Sequence, residues 1–405
     1  VHKRIFAAGA LPSATILGEL PNARSRRLTQ AYNKPATLTF TVDGHSPSAS
    51  AVGEMTTDVI AWRWNDTSQS YRAMFRGIVT ASNDTLSEQS AVVTFTCQDY
   101  LAMLARRFWT GASPFVWTQF DQDTIASGII SQASSITDSS GATSFAPGSF
   151  LPLVVALVDP AGNNRGLSGQ LRDRTYQGQT SKLDGLNGLA TVVNGFDYDC
   201  QPLGSGDGSA DVVSIYYPYQ GILRTRPQLV YGVTVSALTR TFNSTDYANY
   251  QRSLGNNGNA AANAPQVFGE AWNSDTNNVT TAPQGLWMTG DLAADVSVQS
   301  TLNDHANGNL ARSGVVVPSY TVTLRPGWFV PGPFNTSTVN MGEVVPLVIN
   351  EGRLHVNTTV RILGIDYVIG DDGQEDVVLT LGRPDVTIQD LFNTANADVD
   401  ALARR

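Results

Sequence analysis

Alternation of apolar and polar positions dominates the first hundred residues. "TILGEL", "ATLTFTV", "DVIAWRW", "YRAMFRGIV" and "AVVTFTC" alternate or are rich in β-branched residues, and Pro-Asn, Asp-Gly, Asn-Asp and Ser-rich breaks separate them. Successive side chains on a strand point to opposite faces, so a period of two marks a half-buried strand. Five or more short strands at this spacing predict a small barrel or sandwich. Within it, "FRGIVTASNDTLSEQSAVVTFTCQDYLAML" (residues 75–104) reads as two strands around a polar turn, followed by a change of period. Leu101, Leu104 and Phe108 then stand at helical spacing, which predicts a short helical strut reaching Phe108.

The pattern changes after residue 110. "DQDTIASGIISQASSIT" has a helical stripe, and "GQTSKLDGLNGLATVVNGFDYDC" has a second, with Leu183, Leu186, Leu189 and Val193 on one face. Gly195 is the expected helix stop, with the strand "FDYDCQPL" after it. "ITDSSGATSFAPGSF" and "GNNGNAAANAPQ" read as loops. "DVVSIYYPYQGIL" and "PQLVYGVTV" predict strands, and "DVSVQSTLNDHANGNLARS" predicts a helix with Leu302 and Leu310 inward. Strands return in "SYTVTL", "EVVPLVI", "LHVNTTVRILGIDYVIG" and "EDVVLTLG". The turn "GDDGQED" carries Asp372-Gly373, a type I′ hairpin signal. "TIQDLFNTANADVDALARR" closes the chain as an amphipathic helix. The expected organisation is mainly β with an α+β insert: two small β-barrels, 1–107 and 314–386, flanking a central α+β region (108–210 and 211–313), then a C-terminal helix over 387–405.

The two ends echo each other. Gly53-Glu54 precedes Val59-Ile60 by six residues, as Gly342-Glu343 precedes Val348-Ile349. Arg76 lies sixteen residues before Val92-Val93, and Arg361 sixteen before Val377-Val378. The gap between these landmarks differs by four residues between the blocks, so the match is between two β modules and not between two fixed motifs.

Composition narrows the function. The 405 residues carry a net charge of −9 and only 15% charged residues. That balance disfavours a sequence-independent nucleic-acid binder, which needs a basic stripe. The one dense basic cluster, Arg24, Arg26 and Arg27, reads as a solvated strand edge or a subunit contact. Cys97 and Cys200 sit in strand-like runs and are expected as small buried hydrophobes, not a disulfide framework. The first residues lack the apolar core of a signal peptide, and no run is long enough to cross a bilayer. The expectation is a soluble protein made in the cytoplasm.

Candidate chemistry is sparse. His2, His45, His305 and His355 form no HExxH or ligand pair, and the cysteines have no metal spacing, so no metal site or cofactor is expected. Glu54, Asp99, Glu270, Asp291, Glu343 and Asp366 are the carboxylates considered for glycosidase work. With 35 acidic residues in the chain, chance pairs are expected among them. "GSGDGSAD" and "GNNGNA" lack the strand–loop–helix context and the lysine of a phosphate loop. Trp62, Trp64, Trp109, Trp117, Trp272, Trp287 and Trp328 suit either a sugar-stacking face or burial in cores and subunit contacts, and burial is the expectation. No catalytic residue is assigned, and the chain is not expected to be an enzyme.

The succession "GELPNARSRRLTQAYNKPATLTFTVDGHSPSAS", "DVIAWRW", "YRAMFRGIV", "VVTFTCQDYLAMLARR" resembles the opening β domain of tail hub proteins of long-tailed bacteriophages. The resemblance continues through "LDGLNGLATVVNGFDYDC", "PQLVYG" and "LNDHANGNLARS…YTVTL" to "VRILGIDYVIGDDGQEDVVLTLGRPD". The aromatic stretches 108–120 and 265–290 fall outside it. The resemblance implies a baseplate or tail-tip hub of the virion, a homotrimer in which each chain supplies two β-barrels to a ring of near six-fold symmetry. It implies partners among the distal tail protein, the tail tube or tape measure protein, and tip or fibre proteins, with DNA only as a passenger during ejection. A tail-associated cell-wall or polysaccharide hydrolase and a receptor- or glycan-binding tail protein are the alternatives.

Overall fold

The computed structural model describes residues 4–9, 16–65, 69–88, 90–109, 114–132, 136–137, 143–144, 151–176, 180–191, 194–202, 210–226, 228–242, 247–255, 267–273, 285–293, 299–314, 318–325 and 340–382. Among them the N-terminal part supplies β1 (Arg4–Gly9), β2 (Ile16–Glu19), β3 (Arg24–Ala31), β4 (Thr37–Asp43), α1 (Pro47–Ala51), β5 (Thr57–Asn65), β6 (Ser70–Leu86), β7 (Ala91–Asp99) and α2 (Leu101–Leu104). The middle supplies β8 (Phe115–Asp121), α3 (Gln122–Ser131), β9 (Ile136–Thr137), β10 (Thr143–Ser144), β11 (Leu153–Val158), β12 (Leu171–Tyr176), α4 (Lys182–Ala190), β13 (Asp197–Pro202), β14 (Asp211–Tyr216), β15 (Leu229–Val230) and β16 (Val235–Thr241). Next come β17 (Tyr250–Gly255), β18 (Phe268–Trp272), β19 (Met288–Ala293) and α5 (Gln299–Ser313), then β20 (Ser319–Leu324), β21 (Val344–Glu351), β22 (Leu354–Ile369) and β23 (Glu375–Gly382). The chain is mainly β, with its strands in several sheets. One compact unit takes Val1–Thr239 and Thr321–Leu381, and a second contains Arg240–Tyr320.

In the first unit the two ends of the sequence share one sheet. Its order is β16-β20-β23-β22-β3-β4-β7-β6-β5-β1-β2, with β21 beside β22 and β15 beside β21. No closed barrel forms among the described residues. The seam between the N- and C-terminal parts is the antiparallel pair β3–β22, running from Ala31↔Gly364 to Arg26↔Ile369. Leu28, Ile365 and Tyr367 are buried along it. The basic cluster lies on this seam: Arg27 pairs with Asp366 at 2.8 Å, and the Ser25 amide donates to Asp371 at 3.1 Å. The Arg27 pair is exposed and adds little stability.

Two meanders, β5-β6-β7 and β21-β22-β23, use the same device. β6 pairs with β5 over Ser70–Ile78 and with β7 over Gly77–Leu86. β22 pairs with β21 over Leu354–Arg361 and with β3 over Gly364–Ile369. One long strand thus serves two sets of neighbours, and Arg76 and Arg361 each sit at the changeover. Register shifts at Ala61/Trp62 and Val79/Ala81 mark bulges that bend the ladder there. The backbone approach is close at this point, because a Cβ added at Gly77 would lie 2.2 Å from the Gln98 carbonyl oxygen.

Alternation drives both cores. Leu38, Phe40, Phe75, Val79, Phe95 and Cys97 are buried in the first meander, with Phe40 and Phe95 rings 5.5 Å apart. Leu347, Ile349, Ile362, Val377 and Leu379 are buried in the second. Each such side chain contributes about 1.5–3 kcal/mol. Between the meanders, β11-β14-β13 form a three-stranded sheet, with β11 and β14 parallel. It packs on α3 and α4 through Ile125, Ile129, Leu186, Leu189, Val213 and Ile215, and α2 inserts Leu101 and Leu104 into the same core. Asp121 caps α3 by accepting from the Asp123 amide, and Ser181 caps α4 by accepting from the Asp184 amide.

Several expected boundaries move. α2 stops at Leu104, because the amides of Ala105, Arg106 and Arg107 bond to carbonyls three residues back. That tighter winding turns Phe108 off the buried stripe, and it is 46% exposed. α3 ends at Ser131, and Ile136–Thr137 is a strand. α4 ends at Ala190, and the left-handed position beyond it is taken by Asn194 (φ 56°) instead of Gly195. Leu310 on α5 is half-buried, whereas Leu302 is fully buried. The Asp372-Gly373 hairpin is not type I′: only Gly373 has positive φ (79°), and the Gly373 amide bonds to the Gly370 carbonyl. It is a type I turn closed by a glycine bulge. Val193, Trp328, His2, the loops at 203–209 and 256–266, and the helix expected over 387–405 lie outside the described residues.

Candidate functional site

The echoed arginines define the site. Arg76 (1% exposed) and Arg361 (7% exposed) are both buried, which requires a countercharge and full hydrogen bonding for each. Arg361 finds its countercharge on the β13–β14 hairpin, and Arg76 finds its own on β5 with a second carboxyl, from the hairpin, nearby. Arg361 donates to Asp197 Oδ2, to the Gly342 carbonyl at 2.9 Å and to the Gln220 carbonyl at 2.7 Å. Asp197 also accepts from the Tyr32 hydroxyl of the N-terminal part and from the Gln220 amide at 2.7 Å. One carboxylate at the start of β13 therefore ties together strands from both ends of the chain.

Arg76 is held differently. It donates to Asp58 Oδ2 from Nε (3.3 Å) and Nη2 (3.1 Å), and Nη1 lies 3.6 Å from Asp211 Oδ1. Tyr100 donates to Asp58 at 2.6 Å, and the guanidinium lies over the Tyr100 ring. Asp211 opens β14. In the β13–β14 ladder Asp197 faces Tyr216 and Asp211 faces Pro202, so these carboxylates mark opposite ends of the hairpin. Arg361 thus grips one end of these two strands by direct hydrogen bonds, whereas Arg76, bonded to Asp58 of its own meander, approaches the other end at 3.6 Å.

Two carboxylates beside one guanidinium leave one negative charge too many. Burial pushes the Asp58 carboxyl up, opposed by its hydrogen bond from Tyr100 and by Arg76. Burial pushes the Asp211 carboxyl up to about 8, opposed by Arg76 and reinforced by Asp58 and Asp99. Asp211 therefore holds a proton at neutral pH, which removes the surplus charge beside the guanidinium. Burial also pushes Asp99 to about 7, against hydrogen bonds from the Ala36, Ala102 and Leu101 amides. It pushes Asp199 to about 6, against donors on Gln201, Tyr216 and Gln220.

Beside the hairpin lies a polar cleft of about 430 Å³. Lys34, Arg63, Arg72 and Arg224 line it together with Asp99, Asp199 and Glu343. Two of the arginines there are already engaged: Arg224 pairs with Glu343 at 2.6 Å and Arg72 donates to the Gln201 amide oxygen at 3.1 Å. Burial pushes the Cys97 and Cys200 thiols well above their usual range, so neither is a ready nucleophile. Cys97 is buried as expected, and Cys200 only half-buried.

The carboxylates singled out in the sequence are taken up separately. Glu54 accepts from Ser82 at 2.6 Å, Glu270 from Tyr250 at 2.6 Å, and Asp291 from Ser253 at 2.5 Å. Asp99 accepts backbone amides at the start of α2, Glu343 pairs with Arg224, and Asp366 with Arg27. His45 neighbours Asp43, His355 contacts Asn350, and His305 is exposed on α5. Among the described residues no group of three or more His, Cys, Asp or Glu is arranged to hold a metal ion. Trp109 is buried, stacked on Tyr176 with centroids 5.0 Å apart and with Lys182 Nζ 3.5 Å from its ring centroid. Trp272 and Trp287 are 61% and 43% exposed, so neither is buried in a core of its own chain. Asp58, Asp197 and Asp211 were not anticipated. Their one sequence signal is an acidic residue at an inward position of a strand, as in "DYDC".

Neither a family model nor a curated protein matches the sequence. Solved structures do match over nearly the whole chain. The 43 kDa tail protein of prophage MuSo2 from Shewanella oneidensis is 11% identical, with 95% of this chain and 99% of that one covered at a TM-score of 0.60. A tail protein from Neisseria meningitidis MC58 is 10% identical, covering 96% and 99% at a TM-score of 0.57. Prophage tail protein gp18 from Listeria monocytogenes EGD-e is 11% identical, covering 97% and 98% at 0.52. The likeness shows a shared fold.

Replacing Arg361 or Arg76 by leucine strands a buried carboxylate, and each change is expected to lower unfolding free energy by about 3–5 kcal/mol in guanidinium titrations. A loss below about 1 kcal/mol contradicts the burial argument. The pH dependence has a definite sign. Asp99, Asp199 and Asp211 hold protons more tightly folded than unfolded, so their contribution is full below about pH 4 and is lost as pH rises through their folded values. The melting temperature should therefore fall between about pH 5 and about pH 8.5, and fall less in Asp211→Asn. A melting temperature that rises across this window contradicts the assignment.

Proposed function

We propose that this chain is a structural hub subunit of a phage tail tip or baseplate, acting as a homotrimer around the DNA channel. The observation that carries the reading is the pair of matched meanders, drawn from opposite ends of the sequence and joined through β3–β22 in one sheet. If each meander is the wall of a small barrel-like module, three chains present six such modules. A three-fold assembly then offers a near six-fold face, which removes the mismatch with a six-fold tube. The arginine clamp suits this role, because a ring segment must keep its two modules at a fixed spacing.

The partners that fit are the distal tail protein and the tail tube or tape measure protein on the six-fold side, with tip or fibre proteins on the other. The net charge of −9 suits a lumen through which DNA passes without binding. The fold shared with prophage tail proteins supports a place in the virion tail.

Size-exclusion chromatography with light scattering on the purified chain is expected to give the mass of three copies of 43.3 kDa, and electron microscopy a six-lobed ring. A monomer that persists at all concentrations contradicts the proposal.

A further inference from the structure

Two buried acceptors on the polar cleft of the first unit are left without a donor. Asp199 Oδ2 accepts from Gln201 at 2.9 Å, from Tyr216 at 3.2 Å and from Gln220 at 2.8 Å. Asp199 Oδ1 and Gln220 Oε1, on the same two hydrogen-bonded groups, are buried and have no hydrogen-bond partner among the described residues. Gln220 as a whole is only 4% exposed. Both residues line the cleft of about 430 Å³, whose described lining lies within the first unit. Buried acceptors in native proteins are almost always satisfied, so these two require donors that enter through the cleft.

The charges of the lining indicate what carries those donors. Arg224 pairs with Glu343 at 2.6 Å, and Arg63 with Glu375 at 3.5 Å. Arg72 donates to the neutral Gln201 side chain, and Lys34 is exposed. Neither of these two cations has a salt-bridge partner among the described residues. Asp199 and Asp99, which burial pushes up to about 6 and about 7, offset them only in part. An ammonium group or a metal ion would add to that positive surplus, whereas hydroxyl groups donate without adding charge. Trp64 adds an aromatic side chain to the same lining. The volume is that of a small-molecule site and exceeds what one or two waters need. We propose that this cleft binds a polyhydroxylated anion, a sugar acid or sugar phosphate, whose hydroxyls donate to Asp199 Oδ1 and Gln220 Oε1 and whose acid group is taken up by Lys34 and Arg72. The site needs nothing from the hub reading, and a monomer would bind this ligand as a trimer does.

The test is isothermal titration of the full-length protein with D-glucuronate, glucose 6-phosphate, glucose and inorganic phosphate at low salt. At least one charged sugar should bind about tenfold more tightly than either glucose or phosphate, and the tighter of the two identifies the acid group. Lys34→Gln with Arg72→Gln, both at exposed positions, should abolish the preference over glucose. Gln220→Met should weaken the charged sugar about tenfold while leaving phosphate unchanged. Saturable binding of neither charged sugar overturns the proposal, and the cleft then holds water. Phosphate binding as tightly as the charged sugars overturns it as well, because the cleft then takes an adventitious ion only. An unchanged preference over glucose in the Lys34→Gln/Arg72→Gln variant places the sugar elsewhere, and the proposal falls.

Discussion

Two buried guanidinium groups govern the architecture of the first unit. A cation cannot be left in an apolar interior without an anion and a full set of acceptors, so wherever Arg76 and Arg361 are buried their partners must follow. Those partners are Asp58, Asp197 and Asp211, and two of the three stand at opposite ends of β13–β14. The hairpin is therefore ion-paired to the second meander through Arg361 and Asp197, and meets the first through the 3.6 Å approach of Arg76 to the protonated Asp211 carboxyl. Hydrophobic burial supplies most of the stability, but it is non-directional. The ion pairs supply the register.

The same interaction explains why so much acid is tolerated inside. Burial raises Asp99, Asp199 and Asp211 alike, with Asp199 acting on Asp99, Asp99 on Asp211, and Arg76 opposing the rise at Asp211. Holding protons on some of them keeps the interior close to neutral. Burial is the largest cause of each shift. The same burial pushes the Cys200 thiol up, with Asp99, Asp211 and Asp199 adding to the rise. Perturbed carboxylates often mark catalysis, but structural ion-pair networks shift them too.

Local order was readable from sequence where period and burial coincide. "ATLTFTV", "AVVTFTC" and "EDVVLTLG" became strands with their apolar faces inward, and Leu186 and Leu189 marked the buried side of α4. The echo of Arg76 and Arg361 was visible because it needs only counting. Its other landmark is less consistent, since Glu343 is a buried ion-pair partner of Arg224 while Glu54 is exposed beside Ser82. What the sequence hid was long-range: that β3 pairs with β22 across more than three hundred residues, and that Asp197 and Asp211 complete the arginine sites. Spacing along the chain carries no information on such meetings. Helix ends and the Gly373 turn shifted for local reasons that depend on a few hydrogen bonds, which composition alone does not fix.

If the hairpin is the shared grip of both meanders, the two arginines must be coupled through it although they contact different ends. The direct measurement is a double-mutant cycle on unfolding free energy with Arg76→Leu and Arg361→Leu. Coupling predicts that the double variant loses less than the sum of the single losses by at least about 1 kcal/mol, because either change alone already loosens the hairpin. Additivity within about 0.5 kcal/mol would mean two independent sites, and the common grip would not exist.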